Sequence, residues 1–367
     1  MKNWGSLLLI LCILICATPC SADGNFFTYR FADAEEAAQL LLSNRDYYDH
    51  LNQYDLNFRM QKTDATLEEL ESFAAGQTRD WTEEEKAAID AVMQDIENIC
   101  AERGYTLPAT DGIVFAKTTM AEECGAAAYT HGTQIYLSER LMPYTVSDDP
   151  AYQEYFREII AHELFHCLTR NHPDFRTEMY GILGFTVVGE DYDFAPEIDA
   201  VIISNPDVEH HNSYAAFEIN GGIKNCAVIF TTSAPFEKPG DIFFDDMVTG
   251  LVPVDDLSVM YTAEDADNFL EVFGENTDYV IDPEETLADN FAFTVIYGFE
   301  PKYKTPEIIE AIDAYLKGGN TADIRPGETV KTAPDPLNRE PERSAARMTR
   351  NGEDVDEICS SPDRTTI

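Results

Sequence analysis

The run AYQEYFREIIAHELFHCLTRNH, residues 151–172, constrains this chain more than any other stretch, because it writes a metal-ligating pattern onto a helix. Its segment YFREIIA has helical apolar spacing, and the pattern predicts a helix over residues 151–169. His162 and His166 stand four apart, with Glu163 directly after the first. On a helix, residues four apart project from one face, so both imidazoles can serve one tetrahedral ion while Glu163 points beside it. Cys167 lies about 100° further round and reads as a packed thiol rather than a ligand. The plain alternative is a polar helical face whose two histidines hold no metal.

A catalytic zinc needs a third protein ligand and an open position. His172 is the nearby choice, since His162-Glu163-x-x-His166-x-x-Thr169-x-x-His172 resembles the metzincin pattern, and Met260 in LSVMYT sits in a context similar to the methionine turn of those enzymes. Thr169, however, stands where that pattern has the glycine that lets the chain turn. A β-branched residue resists positive φ, and Pro173 restricts His172. The other choice is DPEETLADNFAF, residues 282–293. Asp282-Pro283 marks a helix start, Glu285 and Asp289 fall four apart on one face, and Leu287, Phe291, Phe293 and Val295 make the segment a core element.

Taken with the first helix, this segment resembles the gluzincin zinc metallopeptidases. The resemblance implies a zincin-like catalytic domain holding one Zn2+ per chain. Its metal ligands would be His162, His166 and Glu285, with Asp289 accepting a hydrogen bond from a ligand histidine. Peptide bonds would be hydrolysed by zinc-activated water with Glu163 as general base. The resemblance covers the two helices and, more loosely, a hairpin ahead of them, where Gly125–Tyr129 (GAAAY) is a candidate edge strand for aligning substrate. An oxyanion donor is also required. His210, His211, Tyr297 and Tyr303 are candidates, and His211, from the histidine pair in NPDVEHHNSY, is the residue assigned to catalysis.

The rest of the chain reads as α+β. Residues 1–22 combine a lysine, a short apolar run and a small-residue cleavage-like end, which predicts a signal peptide. Residues 23–79 read as a helical lead-in with helices at 33–43 and 64–75, and residues 80–318 as the catalytic domain. That domain opens with an amphipathic helix from Trp81, capped by Thr82 with Glu85 and ended by Gly104. A hairpin turning at His131-Gly132 precedes the metal helix. Short β runs occupy 183–260, including a hairpin turning at Asn220-Gly221-Gly222, and helices return at 264–273, 283–297 and 305–317. Residues 319–367 carry almost no apolar periodicity and read as a disordered tail.

A formal charge of −43 repels phosphate backbones and anionic bilayers, which argues against nucleic acid or a membrane surface as the partner. Either the charge serves solubility outside the cell, or it favours cationic substrates. A peptide or protein substrate and a secreted or periplasmic location are expected, with no stable membrane association once the signal is removed. Removing it leaves Cys100, Cys124, Cys167, Cys226 and Cys359, an odd number with no assignable pairing. The competing class is an acidic exported binding protein whose HExxH is vestigial or holds a structural ion.

Overall fold

A computed structural model describes residues 26–319, apart from 146, 148 and 241–245. The signal-peptide reading of 1–22 and, but for Gly319, the disordered-tail reading of 319–367 lie outside the described residues. The fold is mixed α+β with two sheets.

The first sheet is ordered around β3 (Thr110–Thr118), which is buried without a break from Ile113 to Thr118. Such a run suits a central strand covered on both faces. β1 (Phe27–Phe31) and β5 (Gln134–Ser138) flank it in parallel, while β2 (Thr78–Arg79) pairs antiparallel with its far end. β4 (Ala128–His131) returns antiparallel to β5 and forms the sheet's edge, turning at Gly132-Thr133 with Gly132 at φ 58°. Alternation sorts the side chains. Ile113, Phe115, Ile135 and Leu137 enter the main core, and Val114, Ala116 and Tyr136 enter a second core on the opposite face.

That second core is covered by the N-terminal helices α1 (Ala34–Ser43), α2 (Arg45–Tyr48), α3 (Gln53–Met60) and α4 (Leu67–Ala75), through residues such as Leu41, Tyr48 and Leu70. The stretch read as a helical lead-in therefore supplies two strands, β1 and β2, and a layer to the same sheet. On the inner face lies α5 (Glu83–Arg103), begun by the expected capping box between Thr82 and Glu85 and ended by Gly104 at φ 72°. A short α6 (Met142–Thr145) leads to the buried central helix α7 (Pro150–Asn171), and α8 (Pro173–Ile182) follows after His172.

The second sheet is antiparallel in the order β10-β9-β8-β7-β6. Its strands are β6 (Thr186–Val187), β7 (Ser213–Ile219), β8 (Gly222–Thr232), β9 (Met247–Pro253) and β10 (Tyr261–Thr262). Asn220 (φ 53°) and Gly221 (φ 73°) form the turn between β7 and β8, as the Asn-Gly-Gly signal predicts. α9 (Pro196–Asp199) lies in the β6–β7 connection. The helix expected at 264–273 is a 3-10 turn, Ala263–Asp265, followed by the short α10 (Phe269–Phe273). α11 (Pro283–Ile296) and α12 (Pro306–Leu316) complete the fold close to the predicted bounds. No helix among the described residues is long and apolar enough to cross a membrane. Cys100, Cys124, Cys167 and Cys226 are all free.

Glu122 lies beneath β4, 1% exposed, where the Tyr129 hydroxyl donates to it at 3.1 Å. Burial pushes its carboxyl up from 4.5 to about 7. The folded-state value is raised, so this group's contribution is complete below about pH 4.5 and is lost as pH rises through about 7. We expect Glu122→Gln to stabilise the protein at pH 8 by about 1–3 kcal/mol in urea unfolding and to change little at pH 4. Equal effects at both pH values would contradict this.

Candidate metal centre

α7 is buried over the whole of Ile159–Thr169, so its polar side chains there need partners inside the protein. α11 supplies them. Asp282 caps its first turn by accepting from the Glu284 N–H at 2.8 Å, and Pro283 occupies the position where a missing N–H costs nothing. The two helices run antiparallel: Glu158 meets Tyr297, His162 meets Asp289 and Glu285, and His166 meets Glu284. Phe165 packs on Phe291 with ring centroids 5.4 Å apart, beside these contacts.

Ligand atoms of His162, His166 and Glu285 lie within 4.8 Å of one another. Glu285 Oε2 stands 3.2 Å from His162 Nε2 and 3.8 Å from His166 Nε2. At the other ring nitrogen, His162 Nδ1 donates to Asp289 Oδ1 at 2.9 Å and His166 Nδ1 donates to Glu284 Oε1 at 3.0 Å. Each carboxylate sets its imidazole's tautomer and turns Nε2 toward Glu285. Burial would lower the pKa of His162, but the hydrogen bonds to Asp289 and Glu285 raise it well above 6.5. His166 Nε2 is fully buried and has no hydrogen-bond partner, an arrangement that costs about 1–3 kcal/mol. A divalent cation between the two Nε2 atoms and Glu285 would satisfy it, so the donor set fits a zinc-type ion.

The supporting network continues outward. Glu284 also accepts from the hydroxyls of Thr169 and Tyr180. Burial would raise its pKa, yet the His166 hydrogen bond and charge hold it below 4.5. Thr277 donates to Asp289, and Asn205 donates to Glu285. Glu163, 3% exposed, accepts from the Thr130 hydroxyl at 2.6 Å, which fixes it between α7 and the edge strand. Asp207 stands 4.0 Å from His166 Nε2 and forms a second close group with Glu163 and His166. Its pKa is pushed well up by burial and by the charges of Glu163 and Glu285. Tyr279 keeps its proton, because burial and the charges of Glu285, Asp207 and Asp289 raise it well above 10.

Glu285 and Asp289 thus come to the histidine pair, as the four-residue spacing suggests. His172 does not. α7 runs straight through Thr169, which spends its hydroxyl on Glu284, and His172 ends the helix 3.0 Å from the Thr110 hydroxyl. Nor does the structure bring His211 to the pair: its ring packs on Phe194 at 5.9 Å, in the layer beside the second sheet, and burial pushes it down to about 4. His210 is exposed and pairs with Asp191 at 3.0 Å. Tyr297 hydrogen-bonds Glu158, about 12 Å along the helix from Asp289 at 1.5 Å per residue, and Tyr303 stacks on Phe293. Met260 belongs to the second-sheet side, with its sulfur beside Gly250. The edge strand forms at Ala128–His131, slightly later than Gly125–Tyr129, because Met120 and Cys124 at positive φ and Gly125 at φ 88° hold the preceding residues in a turn.

Comparison with protein-family models, with curated proteins and with solved structures found no match for this chain. The reading of the centre therefore rests on its geometry. Glu284→Gln or Asp289→Asn should each weaken Zn2+ binding about 10–100-fold in competition with a chromophoric chelator. His172→Ala should leave it unchanged. Parent-like affinity in both carboxylate variants would contradict the roles assigned to them.

Proposed function

We propose that the chain is an exported zinc metallopeptidase with a zincin-like catalytic domain of the gluzincin type, acting on peptide or protein substrates. One observation carries this reading: the Nε2 atoms of His162 and His166 converge with the Glu285 carboxylate while Glu163 stands beside them. A bound zinc would supply a Lewis acid that polarises the scissile carbonyl and brings water toward ionisation near pH 7.

The chain's own groups do the rest. Glu163 is tethered by Thr130 but retains a second carboxylate oxygen, with which it takes a proton from the attacking water and passes it to the leaving amine. Asp289 and Glu284 hold the Nδ1–H of the two imidazoles, so each Nε2 would give its lone pair to a bound ion once His162 Nε2 yields its proton. Tyr279, rather than His211, is the residue we assign to the developing oxyanion, since its backbone carbonyl accepts from Thr286, next to Glu285, and its hydroxyl stays protonated. The charge of −43 favours cationic peptides by steering.

Purified protein should cleave peptides from a proteome-derived library, stop with a chelator and recover with Zn2+. Glu163→Gln should keep one zinc per chain while kcat/KM falls about 10²–10⁴-fold. Glu285→Ala and His166→Ala should lose the ion. Stoichiometric zinc without hydrolysis of any library peptide, in a sample where Glu163→Gln changes nothing, would favour a binding protein instead.

A further inference from the structure

The open side of the histidine pair is crossed by the chain's own segment 204–209, and that crossing is heavily built. At its upstream end the Ser204 N–H and hydroxyl donate to Asp55 at 3.0 and 2.8 Å. Arg59 donates to the Ser204 carbonyl at 2.7 Å and is itself paired with Asp55 and Glu123, both at 2.9 Å. At the downstream end Arg170 donates to the Pro206 carbonyl at 3.0 Å and pairs with Glu209 at 3.2 Å.

Between these anchors the segment takes the groups that a substrate would need. Thr130 lies opposite Ile135, and the neighbouring pair His131–Gln134 closes the β4–β5 turn. Hydrogen bonding alternates along an antiparallel pair, so the Thr130 N–H and C=O point outward from the sheet edge, where an extended peptide would pair. Asp207 accepts from that N–H at 2.6 Å, and Arg170 donates to that carbonyl at 2.7 Å. Glu209 accepts from the Gly132 N–H at 2.8 Å, and Asn205 holds the outer oxygen of Glu285.

Asp207 also lies against the metal donors. Its carboxylate is 4.0 Å from His166 Nε2, the fully buried nitrogen with no hydrogen-bond partner, and Glu285 is 3.8 Å from the same atom. Ligand atoms about 2.0–2.1 Å from a tetrahedral ion stand roughly 3.3 Å apart; Asp207 groups closely with His166 and Glu163 but stands outside the group of His162, His166 and Glu285, so it must move inward to take the position otherwise left to water. Resting on the proposed metal reading, we propose that Asp207 is a displaceable fourth protein ligand and that segment 204–209 is a cis-acting strap holding the resting site closed. Peptide pairing with β4 and entry of water then require the strap to lift.

Cobalt substitution of the full chain tests this by spectrum and affinity, apart from activity. The parent should bind one Co2+ with a tetrahedral visible spectrum that stays constant from about pH 6 to about pH 9, since no solvent position is left to ionise. Asp207→Asn keeps an acceptor for the Thr130 N–H. It should bind Co2+ at least about tenfold more weakly, with a spectrum that titrates in that range as solvent enters. Asp207→Ala should behave alike, guarding against a peculiarity of either variant. Parent-like spectra and affinities in both variants would overturn the strap ligand while leaving the metal site standing. Failure of the parent itself to bind Co2+ would overturn the metal reading and the strap ligand together.

Discussion

One carboxylate reaching two imidazoles organises this protein. Glu285 meets His162 and His166 only because α7 and α11 lie antiparallel and in register, and that register is itself set by buried packing such as Phe165 on Phe291. The helix ends fix the rest. Asp282 and Pro283 start α11 one turn before the histidines need a partner, so Glu284 and Glu285 fall in its first turn, where the helix dipole favours negative charge. A shift of α11 by one residue would rotate Glu285 about 100° away and bring Glu284 or Thr286 to its place, breaking the pairing of both imidazoles.

The same arrangement concentrates charge. Carboxylates from Glu163, Asp207, Glu284, Glu285 and Asp289 surround two imidazoles in a region almost closed to water. Burying an unpaired carboxylate costs several kcal/mol, and hydrogen bonds from Thr130, Thr169, Tyr180, Asn205 and Thr277 offset only part of it. The proposed divalent cation would balance such a centre and would also engage the unpartnered His166 Nε2. The N-terminal helices matter here too, because Asp55 and Arg59 anchor the segment that carries Asn205 and Asp207.

Local chemistry made much of this legible beforehand. The Thr82–Glu85 capping box, the Asn220-Gly221 turn and the Asp282-Pro283 start each depend on neighbouring residues alone, and each forms where the residues call for it. Glu285 and Asp289 were findable because four-residue spacing on a helix is a local property. Glu284 was hidden beside Glu285 as one more acid in a first turn, although it holds the second histidine. Asp207 and Thr130 reach the centre from a loop and a strand edge, placed by tertiary contacts that periodicity does not encode. His211 drew attention as half of a rare pair, yet its position was decided by Phe194. β1 carries no local signal, because five residues with no turn beside them make a weak strand until β3 pairs with them, and α2 and α3 fall between the helices expected at 33–43 and 64–75 even though Asn52 and Asp55 form a capping box.

X-ray absorption at the zinc edge, on the full chain loaded with one equivalent, tests the central claim most directly. The account predicts two imidazole nitrogens at about 2.0–2.1 Å, carboxylate oxygen at about 2.0–2.2 Å and no sulfur near 2.3 Å, a ligand shell that is lost in Glu285→Ala, which no longer holds the ion. A sulfur ligand, a single imidazole, or an unchanged spectrum in that variant would contradict it.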